Sequence, residues 1–461
     1  MSDVHIVILA AGKGTRMKSA RPKVLHTLAG APMIAHVIDM AAALRPASMT
    51  VVVGHQAEVV RRALGDRRDL AFVVQEPQLG TAHALLTTEP LLGLRQGTLV
   101  LLSGDVPALD SATLGNLIET HLRQGAAATI LTASAPKPTG LGRIIRDGGK
   151  IARIVEEKDA SPAEREIREF NAGIYAFQLQ GLFTAIRRIG SDNAQNEYYL
   201  PDLISVFRSE GREVASVTVE DASKVQGINS RAELASVGRA LRHRKNTELM
   251  AEGVTLEDPD TIYVDAAVRI GADTVIHPGV SIEGQTVIGT GCEIHSGVRI
   301  VNSTIGDRAV VLNHCVVTDS RLGDDTSVGP FAHLRNEAAM GTRARVGNFV
   351  EMKKTSLGAG SKAMHLTYLG DASIGTQVNV GAGTITCNYD GVRKHPTTIH
   401  DGAFIGSDSQ LIAPVTIGEG AYVGTGTTVR EDVPPGALAV SAGRQRNIEG
   451  WVEKKRSRAG K

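Results

Sequence analysis

A run of small residues held between basic ones, Leu9-Ala10-Ala11-Gly12-Lys13-Gly14-Thr15-Arg16-Met17, with Pro22-Lys23 close behind, has the make-up of a phosphate cradle. Gly12 and Gly14 permit a turn tight enough for successive N–H groups to converge on an anion, and Lys13, Arg16 and Lys23 add fixed positive charge. A dinucleotide fingerprint would need a third glycine and an acidic residue after the next strand, where this chain has Met17 and then Gly54-His55. The G-K-[ST] ending of a P-loop is also absent. Two glycines alone fit an ordinary strand-turn-helix corner equally well; the clustered Thr15-Arg16-Met17 and Pro22-Lys23 favour the phosphate reading.

Such a loop must be presented by a strand, and Val4 to Leu9 has the length and β-branched content of a buried parallel one. Further strands are expected at Thr50-Val53, Phe72-Gln75, Leu99-Leu102, Ala128-Ala133, Gly173-Phe177 and Val214-Val219, alternating with amphipathic segments as in a doubly wound, Rossmann-like α/β sheet over residues 1–230. In such sheets ligands lie beyond the carboxyl ends of the strands, where both the Gly12 loop and Ser103-Gly104-Asp105-Val106-Pro107 fall. Ser230-Arg231-Ala232-Glu233 has the form of a capping box, and Leu234, Val237, Leu241 and Leu249 follow at helical spacing, which predicts an exposed linker helix over 231–252.

From 253 to 461 the pattern changes. Ile270, Ile276, Ile282, Ile288, Ile294 and Ile300 recur every six residues; after a slip in phase the repeat returns at Val328, Leu334, Met340, Val346 and Met352, and again from Ile399 to Val429. A period of six fits a parallel β-helix in which three short strands make one coil. Asn388-Tyr389-Asp390-Gly391 breaks the hexad register with turn residues and reads as a loop extruded from the coil. Arg335 and Lys353 stand 18 residues apart, one full coil, so their side chains should stack on one face at the ~4.8 Å strand spacing, either holding an anion between them or splaying into solvent. Lys454-Lys455-Arg456-Ser457-Arg458 is expected to be a disordered, solubilising tail.

With 461 residues, 50 basic against 49 acidic side chains and 3% aromatics, the chain carries neither the field nor the stacking surface of a nucleic-acid or anionic-membrane binder. Cys292, Cys315 and Cys387 lack metal or disulfide spacing, and no run reaches transmembrane length. A cytoplasmic metabolic enzyme is the expectation.

Gln78-Leu79-Gly80-Thr81, Gly104-Asp105-Val106-Pro107, Gly347 to Lys354, His365 to Asp371 and Gly381 to Gly391 join the glycine loop in a pattern that extends over nearly the whole chain. It closely resembles the bifunctional bacterial enzymes that make UDP-N-acetylglucosamine, in which glucosamine-1-phosphate N-acetyltransferase is joined to N-acetylglucosamine-1-phosphate uridylyltransferase. The resemblance implies a left-handed β-helix and a homotrimer. For uridylyl transfer it implies a Mg²⁺ held by Asp105 and Asn229, with Arg16 and Lys23 stabilising the transferring phosphate. Leu9, Ala10, Gly12, Gln75, Gln78, Gly80 and Thr81 match the nucleotide positions, and Gly142, Glu156 and Asn171 the sugar positions. For acetyl transfer it implies His365 as the base that deprotonates the amine, with Glu351 a candidate to orient it. Arg335, Lys353, Tyr368, Asn379 and Lys394 would surround the sugar phosphate, and Ala382, Asn388, Tyr389, Ser407 and Thr425 acetyl-CoA, the co-substrate. A CoA-contacting arginine of the relatives falls near Ala442, where Arg444 can substitute.

The chain departs from the pattern at Ser103, where some relatives carry an aromatic residue, and at Ala82, where glycine is common. The expected partners are UTP, glucosamine-1-phosphate, N-acetylglucosamine-1-phosphate and acetyl-CoA. Two rivals differ in class: a sugar nucleotidyltransferase of other specificity whose β-helix only assembles or regulates it, and a non-catalytic scaffold on the same two folds. His365, Arg335 and Lys353 in coil register argue against the first, and the second has no need of Lys23, Asp105, Asn229 and His365 together.

Overall fold

A computed structural model describes residues 3–65, 67–441, 443 and 445–459. The chain divides into two compact units, Met1–Arg242 and His243–Lys461.

The first unit is built on a mixed sheet with the spatial order Val214–Val219, Ala128–Ser134, Glu169–Gln178, Thr98–Ser103, Val4–Ala10, Ser48–Val53, Leu70–Val74. Glu169–Gln178 runs antiparallel to both of its neighbours; the other neighbouring pairs are parallel. Apolar residues alternate between two cores, Ile6 and Ile8 packing on one face of the sheet and Val7 on the other, as a strand covered on both sides requires. Val4–Ala10 lies between Ser48–Val53 and Thr98–Ser103, so the chain leaves it in one direction and returns beside it from the other. That reversal opens a crevice at the carboxyl ends of Val4–Ala10 and Thr98–Ser103, and Gly104 N–H closes it at the base by donating to Leu9 C=O at 2.9 Å.

A hairpin of Arg143–Asp147 and Lys150–Val155 was not anticipated. Its signal was Asp147-Gly148-Gly149, where both glycines take positive φ (54° and 81°) in a two-residue turn.

Helix Arg231–Ala251 begins on half of a capping box: Glu233 N–H donates to Ser230 Oγ at 3.2 Å, but the Glu233 carboxylate accepts from Asn229 N–H at 2.7 Å. The helix is less exposed than expected, because Val237, Leu241 and Leu249 are all buried.

The second unit is a parallel β-helix of three sheets, with 11, 10 and 9 short strands among the described residues, and each hexad aliphatic points into the prism. The phase slip has a local cause. The steps Ile300 to Ile305, Val317 to Leu322, Met352 to Leu357 and Leu369 to Ile374 span five residues, and each of these corners turns at a left-handed residue: Asn302, Asp319, Lys354 or Asp371. Buried hydroxyls satisfy the backbone there, Thr286, Ser303 and Thr355 each accepting an N–H from the following coil. The Asn388 to Gly391 segment does leave the coil, lengthening the step from Thr386 to Leu411 to 25 residues. Asp390 ties this loop by accepting from the N–H groups of Val392 and Arg393, which, with His395 beside it, depresses its pKa to about 2. Residues Trp451–Ala459 form a helix, contrary to the expected disordered tail, and Lys455 Nζ sits 4.8 Å from the Trp451 ring centre.

Candidate active sites

In the first unit a 520 Å³ cleft opens over the crevice. Its lining brings together Leu9, Ala10, Gly12, Lys23, Gln75, Gln78, Gly80, Thr81 and Asp105 of the expected site, with Lys13, Gly14 and Thr15 of the same loop. Gly14 has φ 61°, and a Cβ there would lie 2.6 Å from Lys23 Cβ, so the glycine brings the loop hard against the lysine. Gly80 has φ 109°, and its missing side chain would strike Tyr198 C=O at 2.6 Å. The 80–82 turn is pinned from the same side: Ala82 N–H donates to Tyr198 C=O, and Thr81 Oγ1 accepts from Leu200 N–H. The neighbouring Glu197 completes the cleft wall, a residue that no motif singled out.

Gln75 is buried, and its amide donates to Gly80 C=O at 3.0 Å, so in this arrangement its amide nitrogen holds the loop. Gln78 Nε2 lies over Gly54, where a Cβ would clash with it at 2.7 Å. Arg16 stands apart: it is exposed, outside the cleft lining, and has no side-chain partner among the described residues.

Lys23 Nζ donates to Asp105 Oδ2 in a close ion pair and to Asn229 Oδ1 at 3.1 Å. Two oxygens from segments far apart in sequence thus converge on one positive charge. Asp105 C=O accepts from Ile228 N–H, and the Glu233 carboxylate holds Asn229 from behind. One carboxylate and one amide oxygen suit a hard dication that takes its remaining ligands from phosphate and water, so the donor set fits Mg²⁺.

Gly142, Glu156 and Asn171 form a second group beside the sheet. Asn171 N–H donates to Gly142 C=O, and a Cβ on Gly142 would lie 3.2 Å from Glu156 Oε1. The Asn171 side chain is already committed, donating to Tyr175 Oη at 2.7 Å and accepting from Gly173 N–H at 3.0 Å. Burial first, then the charges of Asp202 and Asp159, lift the Glu156 pKa to about 6. The folded chain therefore holds that proton up to about pH 6, whereas the unfolded chain loses it near 4.5, so stability falls as pH rises between the two values and stays lowered above them. Glu156→Gln is expected to raise the melting temperature above pH 6 and leave it unchanged below pH 4.5. The gain corresponds to at most about 2 kcal/mol, and melts across this range check it.

In the second unit Arg335 and Lys353 are register partners on adjacent strands, as the 18-residue spacing requires. Their charge is met from within the chain. Arg335 Nε donates to Glu351 Oε1 at 2.8 Å, and its terminal nitrogen lies 2.7 Å from the same oxygen in an ion pair. Asp371 Oδ2 faces Lys353 at 3.7 Å and Lys394 at 4.0 Å, and accepts from Asn388 Nδ2 at 2.5 Å. Lys394 crowds Lys353 closely enough to lower its pKa, burial adding to the effect. Three cations against two carboxylates leave one positive charge for an anion.

Asp371 is the hub that sequence reasoning missed: it turns the corner directly after Gly370, the register partner of Lys353, and its N–H donates to Lys353 C=O. Gly370 was missed too: a Cβ there would sit 2.4 Å from Tyr368 Oη and 2.6 Å from Asn388 Nδ2, so the glycine makes room for both.

Glu351, expected to orient His365, is turned to Arg335 instead. The residue at His365 is Asn348, its register partner on the preceding strand, whose Oδ1 lies 2.8 Å from His365 Nδ1. Ala382, Ser407 and Thr425 form a column on successive coils: Asp408 N–H donates to Ala382 C=O, and Gly426 N–H to Ser407 C=O. Asn379 lies in the sheet that carries His365, whereas Arg335, Lys353 and Tyr368 lie in the adjacent one. Tyr389 is exposed on the extruded loop. Ala442 and Arg444 are outside the described residues.

Fold and sites define a nucleotidyltransferase domain joined in one chain to a hexapeptide-repeat transferase. The MobA-like NTP transferase domain family matches residues 6–165, the GMPPB C-terminal domain residues 264–357, and the bacterial transferase hexapeptide (six repeats) residues 396–431. The Bifunctional protein GlmU of Pelobacter propionicus is 50% identical over 452 residues, covering 98% of both chains. That of Shouchella clausii is 48% identical over 455 residues, with 98% of this chain and 100% of the relative covered. That of Geobacter metallireducens is 48% identical over 474 residues, with 99% and 100% covered. The chain belongs to the bifunctional GlmU family. It is both an acetyltransferase and a uridylyltransferase, and the two activities together synthesise UDP-N-acetylglucosamine. No helix among the described residues is long and apolar enough to cross a membrane.

Proposed function

We propose the following assignment of these activities to the chain. Residues 1–230 carry uridylyl transfer, 231–252 connect, and the β-helix from 253 carries acetyl transfer. Glucosamine-1-phosphate is acetylated first from acetyl-CoA; the product's phosphate then attacks the α-phosphate of UTP and pyrophosphate leaves. The observation that carries the first site is the convergence of Asp105, Asn229 and Lys23 on one point in a cleft whose glycines admit backbone close to phosphate.

Each pair of unit charges brought to ~4 Å repels by about 4 kcal/mol at an effective dielectric near 20, so cations must offset the approach of two phosphates. Asp105 and Asn229 would hold Mg²⁺, which supplies that neutralisation when bound. Lys23 then turns its ammonium from these oxygens to the transferring phosphate, and Arg16, unpartnered at the loop's edge, joins it. Gln78, Gly80 and Thr81 read uracil and ribose, Gln75 holds their loop, and Gly142, Glu156 and Asn171 take the sugar hydroxyls.

In the β-helix, His365 removes the amine proton so that the neutral nitrogen can attack the thioester. Arg335, Lys353, Tyr368 and Lys394 hold the sugar phosphate, with Asn379 beside it. Ala382, Asn388, Tyr389, Ser407 and Thr425 line the CoA path. The chain works as a cytoplasmic homotrimer, where its nucleotide and acetyl-CoA substrates are found. An exposed ladder of Phe331 (50% exposed), Phe349 (55%) and Leu366 (64%) along one corner of the prism supports assembly through that edge.

The test supplies glucosamine-1-phosphate, UTP and Mg²⁺ with and without acetyl-CoA and follows nucleotide sugars by mass spectrometry. UDP-N-acetylglucosamine appearing only with acetyl-CoA supports both activities and their order. UDP-glucosamine in either tube would overturn the order.

A further inference from the structure

Away from both sites, where the β-helix begins, Glu257, His277, Glu293 and His295 gather on successive strands of the first sheet, each beside an inward-pointing Leu256, Ile276 or Ile294. The two imidazoles are stacked, with ring centres 4.6 Å apart. His277 Nδ1 lies 3.0 Å from Glu257 Oε2. His277 Nε2 and His295 Nε2 lie 3.3 and 3.1 Å from the same oxygen, Glu293 Oε1.

A neutral His277 that donates Nδ1–H to Glu257 presents a lone pair at Nε2, which then faces a carboxylate oxygen. Two acceptors at that separation repel unless a positive charge lies between them. The donor atoms of His277, Glu293 and His295 all fall within 4.8 Å of one another. The 3.1 and 3.3 Å separations match the edge of a tetrahedron with bonds of ~2.0–2.1 Å, which is about 3.3 Å.

We propose that His277 Nε2, His295 Nε2 and a Glu293 oxygen bind a transition-metal dication of the zinc class, with Glu257 fixing the His277 tautomer from behind. Two imidazoles and one carboxylate select such an ion over Mg²⁺, which prefers oxygen alone, and the carboxylate–histidine–metal relay is the usual support of such a ligand. Because the ligands come from consecutive coils, the ion clamps the first coils of the solenoid, where a repeat has fewest neighbours to hold it. This site is independent of the residues assigned to either reaction.

The test is calorimetric titration of chelator-stripped full-length protein with Zn²⁺ in the presence of excess Mg²⁺, together with Co²⁺ absorption. The wild type is expected to bind one equivalent per chain and to show the intense visible bands of four- or five-coordinate Co²⁺. His277→Gln/His295→Gln should lose both signals while retaining wild-type acetyl transfer, which reports intact coils. Glu293→Gln, which keeps both imidazoles, should also lose the site. Glu257→Gln should keep the stoichiometry and weaken affinity about 10- to 100-fold. Equal Zn²⁺ uptake by wild type and double variant, or no uptake by the wild type, would overturn the proposal; in the second case a proton is the charge shared with Glu293.

Discussion

Asp105→Ala is expected to lower uridylyl transfer by about 10²- to 10³-fold or more while acetyl transfer proceeds at the wild-type rate. Among the described residues Asp105 is the only carboxylate on the Lys23 ammonium, and it faces the cleft from the end of Thr98–Ser103, one of the two strands that frame the crevice. Its loss removes the anionic half of the dication site and leaves Asn229 as a single neutral oxygen. The Lys23 charge then lacks its partner as well, so the variant does not simply gain a free cation for phosphate binding. Asp105→Asn separates the two effects: it keeps the shape and an oxygen but not the charge, and its deficit should shrink as Mg²⁺ is raised, whereas that of Asp105→Ala should not. Separate assays of pyrophosphate release and CoA thiol release check the result. Loss of both activities from folded Asp105→Ala would refute the assignment of this residue to one reaction alone.

The sequence was most informative where chemistry and periodicity coincide. Gly12, Gly14, Lys23 and Asp105 could be grouped because the ends of strands carry ligands, Gly80 joined them only through the family resemblance, and the cleft does assemble them. The coil spacing placed Arg335 beside Lys353 correctly. What it could not supply were the partners that arrive from other coils or from side chains already committed elsewhere. Spacing showed two stacked cations but not that Glu351 and Asp371 answer them, because a carboxylate's direction depends on its rotamer and on which neighbour lies in reach. The same limit turned Glu351 toward His365 in the sequence reading and toward Arg335 in the structure. Gln75 and Asn171 look like free amides in a sequence, yet each is held by a local contact, with Gly80 C=O and Tyr175 Oη respectively. The shortened corners were legible only as a slip in phase; that Asn302 or Asp371 turns them follows from backbone angles, not from composition.

His365→Ala should lower the acetyl-transfer kcat by about 10²- to 10⁴-fold and leave uridylyl transfer intact, the mirror image of Asp105→Ala. The contact with Asn348 makes the prediction sharper. Asn348 Oδ1, acting as an acceptor, places the single imidazole proton on Nδ1 and leaves the Nε2 lone pair free to receive the amine proton. On the proposed assignment of His365 as the base, Asn348 is a positioning residue that fixes which nitrogen acts. Asn348→Leu removes the acceptor, lets both tautomers populate, and should lower kcat by about tenfold with KM little changed, well short of the His365→Ala loss. Asn348→Asp keeps the acceptor but adds a negative charge, which favours imidazolium; the acid limb of the kcat–pH profile should then move to higher pH, with activity recovered on the alkaline side. A merely structural role would lower activity at every pH alike, so an Asn348→Asp profile that falls without moving would refute the positioning role while leaving His365 as the base.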